Sequence, residues 1–297
     1  MSDLAARLTH TRRTDPDAIT QAWTTRSRGP SLPERQADGR GLLLIAADHP
    51  ARGALGVRED PRAMSSRTDL LTRIETALAN PGVDGVLASP DVLEDLLLMG
   101  LLEDKLVFGT MNRGGLQGAA FELHDRFTAM DAESIDRLGL DGGKLLTRIC
   151  YDDPGTAATL ESAGHAITEL SRRSLVALVE PFITERLEPH RVHNLLDPDS
   201  VILSMHIAAG LGASSAHTWL KLPVVDDMER VLDATPLPTL LLGGDPSDEP
   251  SQTYASWGRA LQMPQAAGLV VGRALLYPTD GDVAAAVDIA ANLVHAP

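Results

Sequence analysis

Eight short apolar runs recur along the chain, separated by longer segments with helical periodicity. The runs are "GLLLIAADH" (41–49), "VDGVLASP" (83–90), "KLVFGTMN" (105–112), "GGKLLTRICY" (142–151), "SLVALVEPF" (174–182), "HTWLKLPVV" (217–225), "PTLLLGGD" (238–245) and "GLVVGRALL" (268–276). Their length and β-branched character predict buried strands. Between them, "SSRTDLLTRIETALAN" opens on serines suited to capping and carries apolar residues at helical spacing, as does "TAATLESAGHAITELSRRS". Eight strands alternating with helices predict an α/β fold, a (β/α)8 barrel. An open doubly wound sheet usually has a glycine-rich turn after its first strand, and here that strand ends in "AADHPARG". Residues 1–40 are polar and contain "SRGPSLPERQADGRG", which reads as a leading helix plus a flexible lead-in. The expected organisation is an N-terminal helical extension over 1–40 and one barrel domain over 41–297.

Composition narrows the function classes. With 297 residues, 43% hydrophobic and 23% charged, the chain is long enough for a large core and ordinary for a globular protein. Its 41 acidic and 26 basic side chains give a net charge of −15. That balance argues against a nucleic-acid or anionic-membrane surface, so a phosphorylated ligand needs a local positive site. Cys150 is the single cysteine. It cannot form an internal disulfide and reads as a buried small hydrophobe, since no histidine partner is identifiable. The N-terminus "MSDLAARLTH" lacks a signal-peptide layout, and no apolar run approaches the ~20 residues of a membrane helix. A cytoplasmic protein is expected. No metal or other cofactor is expected either, because no zinc-type His/Glu or multi-Cys spacing appears; His190, His193 and His206 fall in segments that read as helix or loop.

In a barrel, side chains alternate between interior and helical ring, and active residues sit at the C-terminal strand ends. Period-two reading puts Asp48 at the end of the first run, Lys144 within the fourth with Arg148 at the same parity, and Glu180 at the end of the fifth. Lys221 sits late in the sixth, with Trp219 at the same parity, and Arg273 ends the eighth. Structural ion pairing alone would account for any one of these. A lysine in a buried strand, however, costs several kcal/mol if charged and unpaired, and here there are two. Imine formation needs an unprotonated amine, and burial beside another cation lowers a lysine pKa from about 10.4. Lys144 would supply that second cation to Lys221, and Glu180 is placed to handle the proton. Gly243 and Gly244 after the seventh run, with Gly272 and Arg273 after the eighth, match the place where barrels grip phosphate. His49, next to Asp48, points to the opposite face and reads as a loop or supporting hydrogen-bonding residue.

With these residues in place, the chain resembles the class I aldolases of the deoxyribose-phosphate and tagatose-bisphosphate (DeoC/LacD) superfamily, including archaeal-type fructose-bisphosphate aldolases. The resemblance covers residues 41–290 and rests on "AADHP", "GGKLLTRICYDD", "VEPF", "GASSAHTWLKLP", "LLLGGD" and "GLVVGRALL" in that order. It implies Lys221 as the Schiff-base lysine, Lys144 as the second lysine and Glu180 as a proton-transfer group. Asp48 would assist at the imine or a substrate hydroxyl, while Gly243, Gly244, Gly272 and Arg273 bind phosphate.

Two arginines depart from the sugar-bisphosphate pattern. Arg148 is read as facing the mouth, and "TMNRGG" brings Arg113 near. An arginine holds a carboxylate or second phosphate bidentately, so the substrate is expected to be a phosphorylated keto sugar or keto-sugar acid, for example 2-deoxy-5-keto-gluconate 6-phosphate of inositol catabolism, cleaved to dihydroxyacetone phosphate and malonate semialdehyde. The alternative for Arg148 is a rim pair with Asp152 or Asp153. Two other functions stay open: a sugar-phosphate isomerase or epimerase using Glu180 and Asp48, and a non-catalytic sugar-phosphate-binding barrel. A homo-oligomer is expected, with the leucine-rich "DVLEDLLLMGLLEDK" serving an interface as well as the core.

Overall fold

The computed structural model describes residues 2–37, 39–188, 191–244 and 249–295; His190 and Asp245, both within segments considered above, lie outside them. The strands are β1 (Leu42–Ala47), β2 (Gly85–Ala88), β3 (Leu106–Thr110), β4 (Gly142–Ile149), β5 (Val176–Glu188), β6 (Arg191–Asn194), β7 (Thr218–Pro223), β8 (Thr239–Leu242) and β9 (Ala266–Val271). Each of the eight apolar runs supplies one parallel strand. β1 pairs with β2 on one side and β9 on the other, and β4 pairs with both β3 and β5. The remaining neighbours are β2 with β3, β5 with β7, β7 with β8 and β8 with β9, so the ring closes as a (β/α)8 TIM barrel.

Alternation along each strand sorts the apolar side chains into two layers. Leu42, Leu44 and Ala46 of β1 meet Phe108, Leu178, Leu240 and Val270 in one buried cluster, the barrel interior. Leu43, Ile45 and Ala47 join Val107, Val179, Leu220 and Leu241 in the other, which the helices share. Burying such a side chain contributes about 1.5–3 kcal/mol, so an ionisable group among them stands out. Outer helices begin where the sequence offers caps: Ser66, Asp131, Asp197 and Asp282 each accept a backbone N–H from the first turn of the helix that follows. Among the described residues, no helix is long and apolar enough to cross a membrane.

Two features differ from the sequence expectation. β6 turns back antiparallel on the far end of β5, so His193 lies in a strand rather than a helix or loop; His206 lies in the helix Pro198–Ala209. The polar N-terminal stretch forms three helices, Ser2–Thr14, Asp17–Thr25 and Leu32–Arg35. The last of these seats Leu32 in the interior cluster, closing the barrel at the N-terminal ends of its strands. Polar composition hid this because one apolar side chain is enough to make the plug.

Charged side chains, most of them buried or half-buried, fasten the same end. Arg26 donates to the carbonyls of Leu102, Lys105 and Gly139. Asp84, just before β2, accepts the Leu43 N–H at 2.9 Å and pairs with Arg35 and Arg40. Asp141, just before β4, accepts the Val107 N–H at 2.7 Å in the same way. Replacing Asp84 strands a buried amide, at a cost of about 1–3 kcal/mol, and frees two arginines. Asp84→Ala is therefore expected to lower the urea midpoint of unfolding by at least the equivalent of 1 kcal/mol; a midpoint equal to that of the unaltered chain would contradict this account.

Candidate active site

At the C-terminal ends of the strands, the parity that fills the interior with leucine and phenylalanine delivers charge instead. A cavity of about 820 Å³ opens there, and its walls include Asp48, Arg113, Lys144, Glu180, Lys221, Gly243, Gly244, Gly272 and Arg273. Its lining carries five lysine or arginine side chains against three carboxylates, so this end is locally cationic on a chain of net charge −15.

Glu180 of β5 is the centre of the arrangement. One carboxylate oxygen lies 2.9 Å from Lys221 Nζ and the other 2.5 Å from Lys144 Nζ. Lys144 also donates to Asp48 Oδ2 at 3.1 Å, and Arg113 pairs with that same oxygen. All five side chains are buried. Neighbouring strands supply them: Lys144 is aligned with Leu178 and so lies one step below Glu180, while Lys221 comes from β7 on the other side of β5.

Burial and pairing together lower the proton affinities of three of these groups. Desolvation pulls Lys144 well below the ordinary lysine value; the charges of Lys221 and Arg113 add to this and Glu180 opposes it. For Glu180, desolvation disfavours the carboxylate, but the ammonium groups of Lys144 and Lys221 outweigh it and hold the carboxyl far below its usual range. Arg113 is lowered to about 10, chiefly by desolvation, with Asp125 and Glu180 working against it.

The glycines have structural reasons of their own. Gly244 adopts a left-handed φ of 65° with open space where a Cβ would be, a conformation that other residues reach only at a cost. A Cβ on Gly272 would lie 2.4 Å from the Ala46 carbonyl oxygen, so β1 and the end of β9 can approach only across a glycine. Arg273 follows it directly, at the start of the short helix Arg273–Leu276.

One predicted site residue is elsewhere. Arg148 has the parity of Lys144, but β4 and β5 run on past the barrel rim, and at that height the segment after β3 covers the side chain. Arg148 pairs with the Glu122 carboxylate and donates to its backbone oxygen at 2.8 Å, and it is not among the residues lining the cavity. Neither Asp152 nor Asp153 is its partner; Asp153 takes Arg186 at 2.7 Å. Trp219 packs against the interior cluster beneath Lys221 and does not wall the cavity. Cys150 is buried. Among the described residues, no three His, Cys, Asp or Glu side chains group as a metal site would require.

The cavity also includes residues the sequence did not single out: Arg52, Asn194, Asp226, Gln252, Ser256 and Trp257. Arg52 pairs with Asp125 at 2.6 Å and donates to Gly115, holding down the loop that carries Arg113. Gln252 and Ser256 stand four apart on the helix Pro250–Ala260, a spacing that shares one face and was the available signal. Asn194 had none, since it arrives by the β5–β6 hairpin.

The chain is a closed (β/α)8 TIM barrel that carries a lysine–carboxylate–lysine cluster at its C-terminal mouth. More narrowly, the chain belongs to the Cgl0159-like family, whose family model matches residues 40–291. It is similar to the crystal structure of Cgl0159 from Corynebacterium glutamicum (Brevibacterium flavum), with 48% identity over 99% of this chain and 98% of that one and a TM-score of 0.94. It is also similar to an archaeal fructose 1,6-bisphosphate aldolase, at 15% identity over 94% of this chain and 100% of that one, TM-score 0.64. A further archaeal fructose-1,6-bisphosphate aldolase, its catalytic Lys covalently bound to the carbinolamine intermediate, aligns at 16% identity over 93% and 99% of the two chains with a TM-score of 0.64. At those identities the aldolases share the fold. No curated protein matches the chain.

The depressed affinity of Glu180 for its proton gives a signed pH dependence. A carboxyl lowered in the folded state contributes stability in full above its ordinary value of 4.5 and loses it as the pH falls. The native chain should therefore exceed Glu180→Gln in stability at pH 7, and the gap should narrow as the pH is taken below 4.5. Urea unfolding of both proteins across that range measures it; a gap that widens on acidification would refute the pairing.

Proposed function

We propose that the chain is a class I, Schiff-base aldolase related to the deoxyribose-phosphate and tagatose-bisphosphate superfamily, which cleaves a phosphorylated keto sugar to dihydroxyacetone phosphate and an aldehyde. The observation that carries this reading is the Glu180 carboxylate held within 3 Å of both Lys221 and Lys144 in a buried, locally cationic cavity. The archaeal aldolase captured as a carbinolamine on its lysine supports it by analogy of fold.

Lys221 is the nucleophile in this reading. Its amine attacks the substrate carbonyl, and the carbinolamine loses water to give an imine that draws electrons from the bond to be broken. Glu180 bridges the two amines, so a proton leaving Lys221 has an acceptor at 2.9 Å, and Lys144 stands beyond it at 2.5 Å from the other oxygen. Arg273 and the backbone around Gly243, Gly244 and Gly272 hold the phosphate. Because Arg148 lies outside the cavity, an acidic far end such as that of 2-deoxy-5-keto-gluconate 6-phosphate would have Arg113 as its cation, competing with Asp48 for it.

Incubation with dihydroxyacetone phosphate followed by borohydride should leave a stable adduct that peptide mapping places on Lys221 and that Lys221→Met abolishes. An adduct on Lys144 would exchange the two roles. No adduct on any lysine, with inorganic phosphate still bound, would leave the isomerase or binding-protein reading in its place.

A further inference from the structure

Retro-aldol cleavage needs a second kind of proton transfer, away from the amine. The hydroxyl on the carbon that becomes the aldehyde must lose its proton as the carbon–carbon bond breaks. Glu180 serves the amines, since each of its oxygens is taken by a lysine and neither is left for a substrate hydroxyl. Asp48 is half engaged: its Oδ2 takes both Lys144 and Arg113. Its other oxygen, Oδ1, faces His49, whose Nδ1 lies 3.8 Å away.

His49 follows Asp48 at the end of β1 and lines the cavity. Its Nδ1 is buried and has no hydrogen-bond partner, whereas the ring as a whole is only partly covered. Buried polar atoms without partners are uncommon, and each calls for an explanation. Here Asp48 Oδ1 is the group across from it. At 3.8 Å the two do not hydrogen-bond, but the carboxylate's charge favours the ring proton on Nδ1, which leaves Nε2 with a lone pair for a ligand. The ring also borders the end of β9: a Cβ built on Gly272 would lie 3.5 Å from His49 Cε1. It thus stands between the glycines assigned to phosphate and the amine cluster.

We propose that His49, beside the Asp48 carboxylate, is the acid–base residue acting on the substrate hydroxyl in carbon–carbon bond cleavage, a role that rests on the aldolase reading. Nε2 takes the hydroxyl proton while the oxygen's electrons form the aldehyde carbonyl. The electron pair of the broken bond passes into the Lys221 iminium to give an enamine. The Asp48 carboxylate supports the imidazolium that results. In the reverse direction, addition to an aldehyde, the imidazolium returns the proton to the new alkoxide.

The groups facing the ring tune this role. Burial, then the charges of Arg273 and Lys221, and Lys144 to a smaller extent, hold His49 well below the ordinary histidine value, with Glu180 opposing them. Asp48 adds its carboxylate at 3.8 Å. A phosphate dianion on Arg273 would offset the largest of the charges that disfavour imidazolium, so the base gains strength when the phosphate end is filled.

The test separates this step from imine formation. Dihydroxyacetone phosphate and borohydride probe the imine; addition of dihydroxyacetone phosphate to malonate semialdehyde or glyceraldehyde 3-phosphate probes bond making. His49→Asn is expected to keep the Lys221 adduct but to lower kcat for addition by about 100-fold or more, the usual scale of a lost general acid–base. In His49→Ala, added imidazole should recover part of the lost rate. Addition within threefold of wild type in His49→Asn would overturn the proposal, as would loss of rate that imidazole leaves unchanged together with loss of the adduct. Absence of the adduct in the wild-type enzyme would instead overturn the aldolase reading itself.

Discussion

Everything at the mouth of this barrel depends on one carboxylate shared by two buried amines. Two unit charges about 4 Å apart interact by about 4 kcal/mol at an effective dielectric of 20, and like charges at such range would force either lysine outward or neutral. Glu180 lets both stay inside by giving each its own oxygen. Asp48 then takes the second contact of Lys144 and ties it to Arg113. The cluster is a chain of alternating charge running from β7 through β5 and β4 to the end of β1 and the loop after β3. Its strand-borne members have side chains fixed by the interior parity of rigid strands, which favours a fixed geometry over mobility.

How much of this could be read beforehand follows from the same periodicity. Strand positions repeat every two residues, so the apolar runs marked both the barrel and the inward face, and Asp48, Lys144, Glu180 and Lys221 could be named together. Arg148 shows the limit of that reading. Parity fixes the face on which a side chain emerges but not its height along the axis, and β4 outruns the rim by just enough to put Arg148 against Glu122. Glu122 and Asp125 were illegible for a different reason: they sit in an irregular loop, where no repeat relates sequence position to direction. The β6 strand, four half-polar residues long, lacked the apolar signal that a buried strand carries.

Strand alternation predicts that His49 faces away from Asp48, as a supporting residue. That rule fails here since β1 ends at Ala47, and a backbone that has left the strand no longer alternates. Asp48 and His49 consequently reach the same cavity. One Asp48 oxygen joins the cationic cluster, and the other faces the imidazole at 3.8 Å.

The Leu32 plug bears on the site from the opposite end of the molecule. Beneath the charged tier lie Phe108, Leu178, Leu240 and Trp219, and beneath them Leu32, with no polar side chain of the interior cluster between. Among the described residues, the barrel is in effect a vessel stoppered at its base by apolar side chains, and its open face is the charged one. A ligand seated in the mouth would therefore meet fixed charge on its walls and a dry apolar floor beneath.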